Sequence, residues 1–361
     1  MTVGAITIDG AGSDVSTLHW RISALTSRTA RRVLRHVCAD PRSGKMFVGG
    51  RPATPDEFWP ADGSRPAAPY FAWGRQVQAV DRNVFESLVE ALAPEFSRRG
   101  LPGGPVEVEV FTGDYRHTPG GIHRESCSNL HLVLNGTKAM HFWSGDWPPA
   151  GTSRRDEVAA GTDTPEQYLP DLDPADAVAR ARSLTQSAGG GFSWPAGTWH
   201  VAETTGEATA VNVAAYHRNL SGEDNLLPWD GPLHGPVPTD WFHQYWTHTG
   251  GQGTAAQTLA RLSALGMRPA PVARRRRPVH RVQTRLSVPV LWTGTGTGTG
   301  DAVLLGALGA AIRLPAHTPL DWLAERPAPE TRLVVPPGAE ETAAWLCGQG
   351  VLEPVDTREE Q

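Results

Sequence analysis

Hydrophobic residues recur at two different periods along this chain, and the change between them marks its organisation. From Asp81 to Arg98 the spacing is four: Val84, Leu88, Leu92 and Phe96 would form one buried stripe of a helix. Arg21 to Cys38 reads as another helical stretch. Glycine and proline punctuate Gly100 to Pro105, and then Val106-Glu-Val-Glu-Val-Phe111 alternates strictly, which predicts a half-buried strand. From there to about residue 219 the pattern is one of short strands and turns. A long insert at about 144–188 interrupts it, and within the insert Asp173-Pro174-Ala175-Asp176 reads as a capped helix start.

Two segments of the alternating region define faces. Leu130 to Leu134 and Thr137 to Trp143 flank Asn135-Gly136, the strongest short signal for a two-residue hairpin. Such a hairpin sets Leu134 against Thr137 and Val133 against Lys138, so that Asn129, His131, Val133, Lys138, Met140 and Phe142 share one face. Burying Lys138 there without a partner would be costly, and a dicarboxylic ligand would supply one; the alternative is a lysine on the surface of the hairpin. His131 is open between pocket lining and core packing. Further on, Gly189-Gly190-Gly191 reads as a tight turn into a strand, and Ala196-Gly197 turns the chain before His200. The next strand, Ala208 to Tyr216, places Ala208, Ala210, Asn212, Ala214 and Tyr216 on one face, small residues that leave room around a single amide.

Composition narrows the picture. At 361 residues the chain accommodates a large domain and a smaller one. No run of about 18 apolar residues predicts a membrane span, and the first residues lack the basic start and apolar core of a secretion signal. Cys38, Cys127 and Cys347 are too few and too scattered for a disulfide framework or a CxxC zinc site, so a reduced, cytoplasmic protein is expected. A formal charge of −5 does not favour a nucleic-acid binder. The basic block Arg274 to Arg277, followed by Pro278 and Arg281, reads as a solvated linker. Composition therefore divides the chain into a mixed N-terminal support (1–105), a β core (106–226), a linker with helical character (227–281) and a C-terminal module (282–361). The module has strand-like Val282 to Val290, a flexible TGTGTGTG loop, and a helix from Glu340 to Cys347 stopped by Gly348.

The candidate chemistry lies in GGIHRES and WPAGTWHVAE. His123 and Glu125 are two apart, so on a strand both reach one ion while Arg124 points away. With His200 they make two imidazoles and a carboxylate, the facial set of non-haem Fe(II) oxygenases. His117, His141 and His217 read as structural or exposed. Trp194 and Trp199 flank His200.

The segments His123 to Trp143 and Gly190 to Tyr216, about a third of the chain, resemble the Jumonji-C branch of 2-oxoglutarate-dependent oxygenases, protein asparaginyl hydroxylases in particular. The resemblance implies a mainly β fold with flanking helices, built on a double-stranded β-helix of the cupin or jelly-roll kind. It implies Fe(II) held by His123, Glu125 and His200, with Lys138 binding the distal carboxylate of 2-oxoglutarate and Asn129 and Asn212 near its 1-carboxylate. Two departures stand out. The family often has Thr or Ser three residues before the first ligand, where this chain has Gly120 and leaves Thr118 or Tyr115 to substitute. Glu125 also replaces the commoner Asp. Thr331 to Val355 is similar to the strand, helix and wing of the winged-helix-like module of Jumonji-type ribosomal oxygenases; the other reading is a small α/β cap.

Three functions follow as expectations. The first is a 2-oxoglutarate dioxygenase that hydroxylates an amino-acid side chain in a peptide or protein, with a small metabolite or peptide natural-product precursor as the alternative substrate. The second is a different cupin enzyme, a zinc or iron hydrolase or a cofactor-free dioxygenase, which has no use for Lys138. The third is a non-catalytic peptide- or nucleic-acid-binding protein. The C-terminal module is expected to hold a substrate or to form a homodimer. The insert is expected to cover the site as a lid, its Asp156, Glu157, Asp163, Glu166, Asp171 and Asp173 favouring a basic or polar substrate.

Overall fold

The computed structural model describes residues 5–9, 15–21, 25–62, 64, 66–67, 69–143, 147–158, 165–217, 226–229, 234–272, 281–285, 288–294, 302–323 and 331–355. Asp163, the arginines 274–277, Pro278 and most of the TG repeat lie outside them. The fold is mainly β with flanking helices. It comprises two compact units, one of residues 1–81 with 104–225 and one of 82–103 with 226–361. The sequence boundaries group 1–105 together, whereas the apolar stripe of helix Arg82–Arg99 is buried within the second unit and the Gly/Pro stretch contains the passage back to the first.

The first unit is built on two long strands, Cys127–Trp143 and Trp199–Tyr216, which pair antiparallel along most of their length. Each changes its other neighbour midway. Strand Cys127–Trp143 carries Gly190–Trp194 on residues 129–132 and Arg182–Ser187 on residues 137–142. Strand Trp199–Tyr216 meets His123 at His200 and Val106–Asp114 beyond residue 207. This exchange of partners between two faces makes a double-stranded β-helix, extended on one side by Tyr70–Gly74 and Gly44–Val48. Helix Ser27–Val37, capped by the Thr26 hydroxyl, packs on the strands 70–74, 106–114 and 199–216.

Asn135-Gly136 is therefore not a hairpin. It sits inside a continuous 17-residue strand, and the register with the 199–216 strand shifts there: Thr205 pairs with Thr137, Thr209 with Asn135, and Ala210 with Val133. Gly136 has φ +75°, and a Cβ on it would collide with the Glu207 carbonyl and lie 2.8 Å from Ala208 Cα. Only glycine tolerates both conditions. The irregularity inverts the alternation once, so odd-numbered Val133 and even-numbered Met140 and Phe142 share one core with Phe192, Trp194 and Ala202. The predicted face is correct, although a bulge rather than a turn produces it.

Three other expectations change. Val106–Asp114 is buried on both faces, Glu107 and Glu109 included, because Arg75 pairs with Glu107 at 2.6 Å beneath the surface. The insert is partly sheet: Pro165–Tyr168 pairs with His123–Glu125, and Arg182–Ser187 is the neighbour already described. His200 and Asn212 lie on one strand, irregular in register between Thr205 and Ala210, rather than on two. The Asp173 cap forms as read, accepting from the Ala175 amide at 2.8 Å.

The second unit contains a four-stranded sheet (His234–Pro236, Val290–Gly294, Ala302–Ala307, Ala310–Pro315) on which helix Ala255–Ser263 packs, burying Leu259 and Leu262. The span Val282 to Val290 divides between two sheets, as Arg281–Thr284 joins Arg332–Val334 and Leu352–Pro354. Thr331 to Val355 is strand, helix and strand. Its helix runs from Glu340 to Gln349, past Gly348, and ends at left-handed Gly350. Among the described residues no helix is long and apolar enough to cross a membrane.

Candidate metal centre and its cavity

His123 and Glu125 project to one side of their short strand. Arg124 goes the other way, its guanidinium 4.8 Å over the Trp199 ring and bonded to Gln167 at 2.6 and 2.8 Å. Cross-strand pairing of His200 with His123 brings the third side chain alongside, imidazole centroids 4.4 Å apart. One donor atom from each of His123, Glu125 and His200 lies within 4.8 Å of the others. Glu125 sits between the rings, Oε2 3.7 Å from His123 Nε2 and Oε1 3.6 Å from His200 Nε2.

The surroundings orient this set. Nδ1 of His123 lies 3.0 Å from the Gly121 carbonyl and Nδ1 of His200 2.9 Å from the Thr198 carbonyl. A carbonyl only accepts, so each Nδ1 carries the proton and each Nε2 presents a lone pair toward the carboxylate. Burial drives His200 well below the usual histidine range, which keeps it neutral, and raises Glu125. Glu125 Oε2 is buried without a hydrogen-bond partner. Two lone pairs and a desolvated carboxylate converging on one point suit a divalent cation.

These groups line a cavity of about 380 Å³. Lys138, Asn212, His131, Thr118, Met140 and Ala202 line it too. Lys138 is 2% exposed. Its ammonium lies 4.8 Å from the centre of the Phe111 ring and 5.9 Å from that of Tyr115, and among the described residues it makes no hydrogen bond or ion pair. Desolvation pushes it down to about 7, opposed by the charge of Glu109. Thr118, and not Tyr115, reaches the cavity, and its hydroxyl is buried without a partner. His131 both lines the cavity and packs, its ring 5.5 Å from Phe111 and 5.9 Å from Trp194; burial keeps it neutral. Asn129 is buried behind the wall, bonded to Cys127 O at 3.0 Å and to Glu125 Oε1 at 3.5 Å. Trp194 faces the cavity 5.0 Å from His200, while Trp199 turns toward Trp147. His141 and His217 are tied to Ser183 and Ser128, at 2.7 and 2.8 Å, away from the centre. His117 lies 4.0 Å from Glu203.

Three further residues complete the site: Glu166, expected only as an acidic residue of the lid, and Tyr168 and Glu109, for which the sequence suggested no role. Tyr168 stacks on His123, and its hydroxyl donates to Glu166 at 2.8 Å. Glu166 is the register partner of Glu125, and burial together with that neighbouring charge raises it. Glu109 is raised to about 7 by burial and accepts from Trp73 Nε1 at 3.2 Å and Asn212 Nδ2 at 3.0 Å. The alternation of 106–111 signals that Glu107 and Glu109 share a face, but the groups that cover that face come from distant segments.

No protein-family model and no curated protein sequence matches the chain. Among solved structures it is similar to YcfD, a ribosomal oxygenase from Escherichia coli, with 13% identity, a TM-score of 0.49 and 94% of each chain covered. A YcfD structure in complex with cobalt and 2-oxoglutarate gives 13% identity and a TM-score of 0.47, covering 92% of this chain and 91% of that one. Oxalate decarboxylase from Bacillus subtilis aligns over 33% of this chain and 23% of its own at 10% identity, with a TM-score of 0.21.

Proposed function

We propose that the protein is an Fe(II)- and 2-oxoglutarate-dependent oxygenase that hydroxylates an amino-acid side chain in a peptide or protein. The observation that carries this reading is one cavity containing both the His123–Glu125–His200 set and a buried ammonium, Lys138, which among the described residues makes no ion pair. A hydrolase needs the metal but has no use for that ammonium; a dicarboxylate cosubstrate needs both. Bound iron and 2-oxoglutarate would supply the oxidising chemistry, in which 2-oxoglutarate and O2 become succinate and CO2 as one oxygen atom enters a C–H bond.

The chain's own contribution is positional. His123, Glu125 and His200 would hold the metal on one face, their orientation fixed by the Gly121 and Thr198 carbonyls. Lys138 would take the distal carboxylate, and Thr118 is placed to donate its hydroxyl proton to a ligand oxygen. Phe111, Met140, Trp194 and Ala202 keep the walls apolar, which excludes water and strengthens each of these contacts.

A second reading, oxidation of a free amino-acid derivative, draws on the cavity rim. Arg42, Lys45 and Arg155 stand there with Glu157 and Glu166, both signs of charge that a zwitterion would match. Succinate release that depends on both Fe(II) and 2-oxoglutarate is the expected result for the purified protein. Its absence with cell extract and with an amino-acid panel alike would overturn the oxygenase reading. A gain of one oxygen on a free amino acid, with no modified polypeptide, would select the second reading.

A further inference from the structure

We propose that the outer edge of strand Arg155–Val158 is where the substrate polypeptide docks, in extended form, as one more strand of the sheet that carries His123 and Glu125. The proposal rests on the reading of the substrate as a peptide or protein, and names how that substrate is held.

Strand His123–Glu125 pairs with Pro165–Tyr168, and that strand pairs in turn with Arg155–Val158. Side chains directly opposite on antiparallel strands share a face. His123, Tyr168 and Arg155 therefore form one row, and Glu125, Glu166 and Glu157 the next. The first row is stacked throughout: Tyr168 lies on His123, and the Arg155 guanidinium stands 5.1 Å from the centre of the Tyr168 ring. Both rows line the cavity. The opposite face carries Arg124, Gln167 and Asp156, joined by hydrogen bonds, with Gln167 Nε2 donating to Asp156 Oδ1 at 2.8 Å. Strand Arg155–Val158 is thus held from both faces.

Its outer edge is another matter. All four residues are exposed, and among the described residues no backbone hydrogen bond reaches the strand from that side. Natural proteins blunt such edges, often with charged side chains. Here the charges are committed within the sheet: Arg155 pairs with Glu157 at 2.8 Å, and Asp156 accepts from Gln167. The backbone remains, together with Val158, which is 64% exposed and lines the cavity as Arg155 and Glu157 do. An extended chain is the occupant that matches alternating N–H and C=O groups, since its own main chain satisfies them. Beside Glu157 and Glu166 its cavity-facing side chains would be neutral or basic, because like charges directly opposite repel.

Neighbouring strands stand about 4.8 Å apart, so the added strand would run roughly 14 Å from the one bearing His123 and Glu125. No side chain spans that distance along the sheet. The added strand is therefore an anchor, and the residue that reacts lies beyond it, where the substrate chain turns into the cavity.

The test selects linear random-sequence peptides from a display library on the full-length protein loaded with Zn(II) and 2-oxoglutarate. Hydrogen exchange is then compared between the free and the peptide-bound protein. Enriched peptides are expected to slow exchange of the Arg155–Val158 amides by about ten-fold or more. N-methylation of a peptide should weaken binding by about ten-fold at every second position of one segment and little at the positions between, since alternate N–H groups point to the edge. With Fe(II) in place of Zn(II), oxygen gained by these peptides should fall outside that segment. Peptides that bind without protecting Arg155–Val158, that tolerate N-methylation throughout, or that gain oxygen inside the segment would overturn the proposal and leave a polypeptide substrate standing. If no peptide is enriched, the polypeptide substrate and the docking edge fall together. If peptides protect the edge of a protein that releases no succinate, the edge stands and the oxygenase reading fails.

Discussion

Tyr168 lies stacked on the imidazole of His123, ring centroids 5.4 Å and planes 19° apart, on the strand that pairs with the one bearing His123 and Glu125. His123 is thus pinned at its edge by the Gly121 carbonyl and on its face by an aromatic ring. Removing the ring in Tyr168→Ala should weaken metal binding by about ten-fold, the lower end of what loss of an orienting neighbour costs. Tyr168→Phe, which keeps the stack and loses the bond to Glu166, should stay close to the wild type. Titration with Co(II) measures both, and equal affinities would make Tyr168 mere packing. Glu125→Ala should bind no stoichiometric metal.

Lys138→Met separates folding from binding. A buried ammonium that makes no ion pair among the described residues opposes folding, and an apolar side chain of similar length removes that burden, a gain of roughly 1–4 kcal/mol by analogy with buried ion pairs replaced by hydrophobic groups. The ligand-free variant is expected to melt at a higher temperature than the wild type while losing all thermal stabilisation by 2-oxoglutarate. A lower melting temperature would mean that the ammonium has a partner.

The same lysine gives the stability of the ligand-free protein a pH dependence. Burial lowers Lys138 from 10.5 to about 7. Between those values the unfolded chain binds a proton that the native chain has released, so the Lys138 contribution is fully present above 10.5 and lost as pH falls through 7. Glu109 is raised from 4.5 to about 7, so its contribution is present below 4.5 and lost as pH rises through 7. Stability due to this pair is lowest near neutral pH. Between pH 7 and 10 the wild-type melting temperature should rise relative to that of Lys138→Met in calorimetric scans, and parallel curves would contradict the lysine assignment.

Gly136→Ala should be severely destabilising. A left-handed φ alone costs about 1–3 kcal/mol for a side-chain-bearing residue, and the new methyl group also meets the backbone of Glu207 and Ala208. Chemical denaturation is expected to show that loss at least; Gly136→Ala unfolding at the wild-type midpoint would mean that the bulge relaxes without strain.

A chain ending at residue 270 should not persist as a soluble protein. It would keep helix Ala255–Ser263 and lose the sheet on which that helix packs, exposing Leu259 and Leu262. Expression with recovery in the soluble, monodisperse fraction decides it.

How far the site was legible in the sequence depends on how local each determinant is. Alternation by two carried His123 and Glu125 to one side and placed Asn129, His131, Lys138 and Met140 together. A hairpin and a bulge at Asn135-Gly136 both put Val133 and Lys138 on the same side, so local pattern could not separate them. The long-range register with Thr205 to Ala210 does. Glu109 escaped because alternation assigns a face without saying what covers it, and Trp73, Arg75 and Asn212 arrive from distant strands. Tyr168, and the pairing of Glu166 with Glu125, escaped because Pro165 to Tyr168 in an insert gave no sign that they would pair with the strand of His123 and Glu125.

The bulge makes the site depend on the length of the chain as well as on its residues. Substitutions at Met140 or Phe142 would wear the interior down by degrees. Deletion of one residue between Leu134 and Gly136 would restore plain alternation and carry Lys138, Met140 and Phe142 outward, bringing Thr137, Ala139 and His141 in their place. The candidate ligand set His123, Glu125 and His200 would survive such a deletion unchanged, yet the cavity beside it would be turned inside out. For this protein an insertion or deletion at one peptide unit is a graver lesion than most changes of side chain.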